Sequence, residues 1–200
     1  MNEEILDVVR MGLRLGKVDR ALCHPDGTPE TTACHSVSLT WLACSLAREW
    51  YPELDRGLIA ECTIVHDAVE VYAPDTPVVT AGEEGRRTQA LLETMSLARI
   101  GEELRILSWL PRMITRYEAQ DTAEARFARL ADRIAGAAVL VIEDNVPERL
   151  KAQGATRADV LAFREYEEKL FASPGYSCFT EMDDLRRELN VILARHDPET

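Results

Sequence analysis

The sequence predicts an all-α protein, and three observations support this fold class. Apolar residues recur at helical spacing over long stretches, and the alternation that is typical of strands is nearly absent. Hydrophobic residue types make up 46% of the 200 residues, which is enough for a buried core. The one β-branched cluster, at residues 77–80, is short and lies in a stretch rich in Pro and Gly. A chain of this length has room for one domain, or for one domain with an appendage.

Helical patterns follow one another along the chain, and several have recognisable start or stop signals. Residues 36–50 place apolar side chains along one face, and Tyr51-Pro52 ends this helix because Pro disfavours α geometry in the residue before it. Thr122 and Glu124 are typical of a helix N-terminus and predict a helix over residues 122–143. The other predicted helices cover residues 54–73, 85–107, 156–172 and 180–195, the last two being separated by Ser173-Pro174-Gly175.

Charge and composition exclude several classes of partner. A formal net charge of -12 disfavours a large contact with a nucleic acid polymer or an anionic membrane. No apolar run approaches the roughly 20 residues of a membrane span, and the acidic N-terminus lacks the features of a signal peptide. The five cysteines form no C-x-x-C pair, so we expect buried reduced thiols rather than disulfides or a zinc site made of cysteines. These features predict a cytoplasmic protein.

A few polar side chains fall where the helical pattern predicts a packed interior. His35 lies in line with the apolar face of its helix, His66-Asp67 interrupts an apolar stretch, and Asp132 has small apolar helical neighbours. Glu70 follows His66 by four residues, so one continuous helix brings it to the same side as His66 and Asp67. Buried carboxylates are costly without a compensating charge. The two histidines with Asp67 and Asp132 therefore predict a shared divalent cation, because their nitrogen and oxygen donors suit Zn, Fe, Mn or Co.

Each of these residues also has an ordinary interpretation when it is taken alone. A single buried histidine such as His35 is commonly a hydrogen-bonded core or capping residue, and Asp132 has Arg129 and Arg133 as possible surface partners. Glu70 alone is an ordinary helical residue. The joint pattern is what favours a metal site over these separate interpretations.

The joint pattern His35…His66-Asp67…Asp132 resembles the H…HD…D signature of the HD-domain metal-dependent phosphohydrolases. The run HDAVEVYAPDTP at residues 66–77 resembles the H-D-x-x-E-x-x-x-x-D-x-P segment of the bacterial 5′-deoxynucleotidases, and residues 123–134 resemble the segment that carries their last metal ligand. The resemblance extends over about residues 5–145.

This resemblance implies a helical bundle with the metal site between helices and one bound divalent ion, which could be Co, Mn, Zn, Fe or Mg. An HD domain would then occupy residues 1–147, and residues 148–200 would form a C-terminal helical extension packed on it. A homodimer or a higher homo-oligomer is the expected assembly.

The resemblance also implies roles for residues beyond the metal ligands. Glu70 and Asp75 would serve the attack of water and the proton transfers, and Arg20 would bind phosphate. Ala21 stands where the deoxynucleotidases have a Trp that excludes a ribose 2′-hydroxyl. Candidates for the missing sugar contact are Leu22, His24 and Trp41.

Residues 76–90 contain two glycines and the pair Arg86-Arg87, close to the predicted site in sequence. One interpretation is a mobile loop whose arginines meet a second or third phosphate. The alternative is the solvated start of a helix.

Three functions follow from the resemblance, all with a small nucleotide as the ligand. The first is a 5′-deoxynucleotidase that hydrolyses a deoxynucleoside monophosphate with a metal-activated water. The second is a deoxynucleoside triphosphate triphosphohydrolase, like the phage enzymes that remove dATP. The third is a non-catalytic nucleotide-binding HD protein, against which the retention of all four ligands together with Glu70 and Asp75 argues.

Overall fold

Helices make up most of this computed structural model, which confirms the predicted all-α class. The structure describes residues 2–24, 26–73, 79–143 and 154–194. Within these ranges the chain forms eight α-helices, one 3-10 helix and a two-stranded antiparallel sheet. Their bounds are α1 Asn2–Leu15, β1 Asp19–Cys23, β2 Pro29–Thr31, α2 Thr32–Trp50, α3 Arg56–Val65, the 3-10 helix Ala68–Val71, α4 Gly82–Glu103, α5 Trp109–Ala119, α6 Ala123–Glu143, α7 Arg157–Ala172 and α8 Thr180–Ala194.

The hairpin of β1 and β2 is not among the predicted elements. Its turn contains Gly27 at φ 84° and an Asp26 side chain that accepts a hydrogen bond from the Thr28 backbone at 2.9 Å. Two strands of five and three residues are too short to display an alternating pattern. Because the Thr31 hydroxyl caps α2 through the Cys34 backbone N–H, that helix begins four residues earlier than predicted.

The helix predicted over residues 54–73 is wrong in its second half. Asp55 caps the start of α3 by accepting hydrogen bonds from the backbone N–H groups of the next turn. The helix ends at Val65, and after His66 and Asp67 the chain tightens into the 3-10 helix, in which Glu70 N–H donates to the Asp67 carbonyl at 3.0 Å. At this connection His66 Nε2 lies 3.7 Å from Asp132 Oδ1 of α6 and 2.9 Å from Asp67 Oδ2.

Further helix bounds also differ from the expectations. Helix α4 begins at Gly82, so the interpretation of residues 76–90 as a loop is wrong from that residue onward. Helices α1 and α5 are not among the predicted helices. Pro111 lies in the first turn of α5, where a missing backbone N–H costs nothing because it would have no intrahelical partner.

Helix α6 lies between two hydrophobic clusters that together form the core. In the first, Phe127 of α6 packs edge-on against Tyr51 and Phe179, with ring centroids 5.5 Å away in both cases. The second joins α6 to α1, α3, α4 and α5. Phe179 and Met182 belong to the first cluster, so the C-terminal helices share this core. The domain boundary at residue 147 stays a prediction.

Apolar side chains also remain exposed on the outer face of α1 and at the start of α5. They border a groove of about 740 Å³ between α1, α2, α3 and α5. None of the described helices combines the length and hydropathy that crossing a bilayer requires.

The five cysteines are free, but only Cys62 is buried, and Cys34 and Cys178 are exposed, contrary to the expectation that all are buried. The homo-oligomer stays a prediction.

Replacing Phe127 by Ala is expected to lower the free energy of unfolding by about 3–5 kcal/mol, because it removes a fully buried ring from the centre of the first cluster. Urea denaturation followed by circular dichroism measures the change. The control is Leu91→Ala, whose side chain is 61% exposed and whose loss should change stability by less than about 0.5 kcal/mol. Equal stability of the two variants would contradict this packing.

Candidate metal centre

Three of the four predicted metal ligands meet at one point. His35 lies in the first turn of α2, His66 directly follows α3, and Asp132 lies in the middle of α6. Their candidate ligand atoms are all within 4.8 Å of one another. Asp132 Oδ1 is 3.0 Å from His35 Nε2 and 3.7 Å from His66 Nε2. The metal site predicted between helices is therefore matched by a cluster at the junction of α2, α3 and α6.

Asp67, the fourth predicted ligand, lies beside this cluster and contacts His66 and Arg20. Its Oδ2 atom is 2.9 Å from His66 Nε2 and accepts a hydrogen bond from Arg20 Nη1 at 2.6 Å. Arg20, the predicted phosphate ligand, is thus held next to the donor atoms. Its position on β1 explains why the hairpin matters for the site.

The orientation of the two histidines is set by contacts on the side facing away from the cluster. His66 Nδ1 donates to the Thr63 carbonyl at 2.8 Å, and since a carbonyl only accepts, the unprotonated nitrogen of neutral His66 is Nε2. His35 Nδ1 faces the Glu30 carboxylate at 3.7 Å, while its Nε2 faces Asp132. Such outer contacts are typical of histidines that ligate metals.

The electrostatics of the cluster favour a positive charge. Burial alone would lower the pKa of His66, but the carboxylates of Asp67 and Asp132 raise it to about 9. Burial would raise the pKa of Asp132, but its hydrogen bond to His35 and the nearby charges of His66 and Arg133 hold it well below its ordinary value. The group of acidic and imidazole side chains thus stabilises a cation.

The donor set fits a divalent metal ion. Donor atoms bound to one ion at about 2.1 Å lie about 3–4 Å apart, and the distances from Asp132 Oδ1 to the two Nε2 atoms fall in this range. His35, His66 and Asp132 would hold the ion, and Asp67 is near enough to His66 to join them. Imidazole and carboxylate donors together suit first-row transition metals better than calcium or magnesium.

Two further carboxylates are buried, Glu70 against Thr32 at the start of α2 and Glu30 beside Arg20 and His35. Glu70, 6% exposed, accepts a hydrogen bond from the Thr32 hydroxyl at 2.7 Å. Glu30, 3% exposed, has its Oε2 atom 3.5 Å from Arg20 Nε and is the carboxylate behind His35. Sequence reasoning missed Glu30, and no periodic signal could have found it because its burial results from the packing of the hairpin.

A cavity of about 150 Å³ opens beside Asp132. Its lining includes Arg20 together with Ala21 and Leu22, two of the residues predicted to bind or face the substrate. The rest of its wall comes from residue 79 and from α6, α7 and α8.

Other predicted substrate residues do not line this cavity. Trp41 is 73% exposed on α2. Arg87 donates to Glu83 at 2.6 Å, and the Arg86 guanidinium lies 5.5 Å from the centre of the Tyr166 ring. The structure therefore does not bring these three residues to the cluster. Asp75 lies outside the described residues.

Comparison with known proteins supplies a family and a fold. A family model described as HD domain matches residues 13–164. A predicted metal-dependent phosphohydrolase from Magnetospirillum magnetotacticum MS-1 is similar over 96% of this chain and 95% of its own, with 23% identity and a TM-score of 0.73. No curated protein matches the sequence.

Two archaeal structures also share the fold. A conserved hypothetical protein from Pyrococcus furiosus is 18% identical over 91% of this chain and 99% of its own, with a TM-score of 0.57. A protein from Pyrococcus horikoshii OT3 is 19% identical over 98% of this chain and all of its own, with a TM-score of 0.58. At these identities the likeness concerns the arrangement of the helices.

Replacing His35 by Ala or Asp132 by Asn is expected to weaken zinc binding by more than about 100-fold, because the loss of an outer partner alone costs about 10–100-fold. Isothermal titration calorimetry of metal-stripped protein measures the affinity. His24→Ala, which removes a histidine from the hairpin turn, is the matched control and should bind zinc normally. Normal zinc affinity in both site variants would refute the assignment of these ligands.

Proposed function

This chain belongs to the HD-domain family, and on that premise we propose that it is a metal-dependent phosphohydrolase that removes the phosphate from a nucleoside 5′-monophosphate, with deoxynucleotides as the favoured substrates. The observation that carries the proposal is the close placement of a metal donor set and an arginine. Arg20 is joined to Asp67 at 2.6 Å, and Asp67 lies 2.9 Å from His66 Nε2.

This placement addresses the main obstacle to hydrolysis of a phosphate ester. The ester and the attacking hydroxide are both anionic, and the protein itself carries a net charge of -12. A divalent ion, when bound, polarises the phosphoryl oxygen and lowers the pKa of a bound water. The planar guanidinium of Arg20 offers paired donors to phosphate oxygens, and its contact with Asp67 holds it in position.

Glu70 is the group proposed to orient the attacking water and to accept its proton. Its carboxylate is buried within hydrogen-bonding distance of Thr32, which restricts its orientation. The bond between phosphorus and the 5′-oxygen breaks as the water oxygen bonds to phosphorus, and the departing oxygen then takes up a proton. Asp75 is proposed to donate that proton, from its place in the sequence pattern alone.

The charges around the cavity favour a monophosphate over a triphosphate. Among the described residues that line it, the cationic side chains are Arg20 and Arg133. Arg86 and Arg87, the candidates for contacts to further phosphates, have other partners on α4 and α7. A carboxylate, Glu167, also lines the cavity and would repel additional phosphates.

Metal-stripped protein resupplied with Co, Mn, Zn or Mg is expected to release orthophosphate from deoxynucleoside monophosphates. The assay compares orthophosphate and triphosphate release from monophosphates of both sugars and from deoxynucleoside triphosphates. Release of triphosphate would replace the proposal by the triphosphohydrolase activity. Nucleotide binding without any release would replace it by a binding role.

Replacing Glu70 by Gln is expected to lower kcat by about 10²–10⁴-fold, the range usual for a general base, with metal content unchanged. Steady-state kinetics and metal analysis of the same preparation measure both effects. Glu61→Gln changes an exposed glutamate on α3 and serves as the control. Undiminished turnover in Glu70→Gln would remove this carboxylate from the reaction.

A further inference from the structure

The lining of the cavity beside Asp132 includes polar groups that the proposed hydrolysis does not use. Arg133 comes from α6, Glu167 from α7 and Asn190 from α8. Glu167 is 6% exposed, and the Nε atom of Arg133 is buried. Three helices thus bring a cation, an anion and an amide to one cavity.

These three side chains have no hydrogen bond or close ion pair to any described residue. Arg133 Nε is buried without a hydrogen-bond partner, and no ion pair joins Arg133 to Glu167 although both line the same cavity. Burial raises the pKa of Glu167, and the charges of Arg133 and Arg186 partly offset that effect. Leaving a buried polar atom such as Arg133 Nε unpaired costs free energy. A ligand in the cavity that accepts a hydrogen bond from Arg133 would remove this cost.

The chemistry of the cavity wall indicates what kind of ligand this is. Its remaining surface is largely apolar and includes the aromatic ring of Phe163. The other apolar side chains are those of Leu22, Ala137, Leu140 and Leu193. A guanidinium donates, a carboxylate accepts, and an amide does both. A flat heterocycle with donors and acceptors along its edges matches these groups, whereas a second phosphate would face the carboxylates of Glu167 and Asp132.

The position of the cavity relates it to the reaction. Arg20 and Asp132 both line the cavity; Asp132 belongs to the candidate metal centre, and Arg20 donates a hydrogen bond to Asp67 beside it. A phosphate held by Arg20 would therefore direct the rest of its ester into the cavity, toward Arg133 and Glu167. The leaving group of the proposed hydrolysis is the nucleoside.

We propose that this cavity binds the base of the nucleotide, and that Arg133, Glu167 and Asn190 select bases that carry an amino group, guanine above all. This inference rests on the proposed function, which identifies the group held by Arg20 as the phosphate of the nucleotide. The ring N–H and the amino group of guanine are two adjacent donors for the Glu167 carboxylate, and its O6 and N7 atoms accept from an arginine. The ring N–H of thymine is flanked by two carbonyl oxygens, which a carboxylate repels.

Calorimetric titration of metal-free protein with deoxyguanosine and with thymidine tests this selection without any turnover. Deoxyguanosine is expected to bind about tenfold or more tightly than thymidine, and Glu167→Gln should remove most of that preference, since hydrogen bonds to a charged group are strong. The matched control is Glu165→Gln on the same helix, whose exposed carboxylate pairs with Lys169 at 2.7 Å. It should bind both nucleosides as the parent does.

Asn190→Ala is a second variant, which keeps both the Arg133 and the Glu167 charges. It is expected to weaken deoxyguanosine binding at an unchanged melting temperature.

Equal binding of the two nucleosides by the parent would overturn base selection. Phosphate release from dGMP and dTMP with the same KM in the parent would also overturn it while the phosphohydrolase stands. Nucleoside binding that depends on Glu167, in a protein that releases no phosphate with any metal, would support the cavity and overturn the proposed hydrolysis.

Discussion

The largely buried carboxylate of Asp132, set between two imidazoles, is the interaction on which the rest of the structure depends. It lies in the middle of α6, the helix that both hydrophobic clusters share. A carboxylate there is tolerated only when positive charge or hydrogen-bond donors reach it. His35 and His66 approach it at 3.0 and 3.7 Å, and α2, α3 and α6 must therefore pack with their polar residues in register.

Asp132 also divides the site into two parts with different chemistry. On one side are the two imidazoles, which offer donors to a metal ion. On the other side is the cavity, which Arg20 also lines and whose apolar walls carry Arg133 and Glu167. The C-terminal helices α7 and α8 therefore do more than cover α6, because they supply part of the cavity wall.

Local signals predicted those elements whose ends depend on neighbouring residues. Thr122 accepts a hydrogen bond from the Ala125 backbone at 3.1 Å, as expected for the start of α6. The end of α3 could not be predicted in this way, because the apolar pattern continues through Val69 and Val71 while the backbone changes its hydrogen bonding. The hairpin could not be predicted for the opposite reason, since its two strands are too short to show an alternating pattern of apolar and polar residues.

The sequence by itself determined the helical class, the candidate metal donors and the resemblance to one family, since these depend on residue types and short spacings. Only the tertiary structure decided which distant side chains meet, such as His35 with Asp132 across 97 positions. It placed Glu30 behind His35, kept Trp41 on the outside, and brought Glu167 to the cavity. The physical reason is that periodicity reports which face of one helix is buried, whereas the packing of several helices decides what that face contacts.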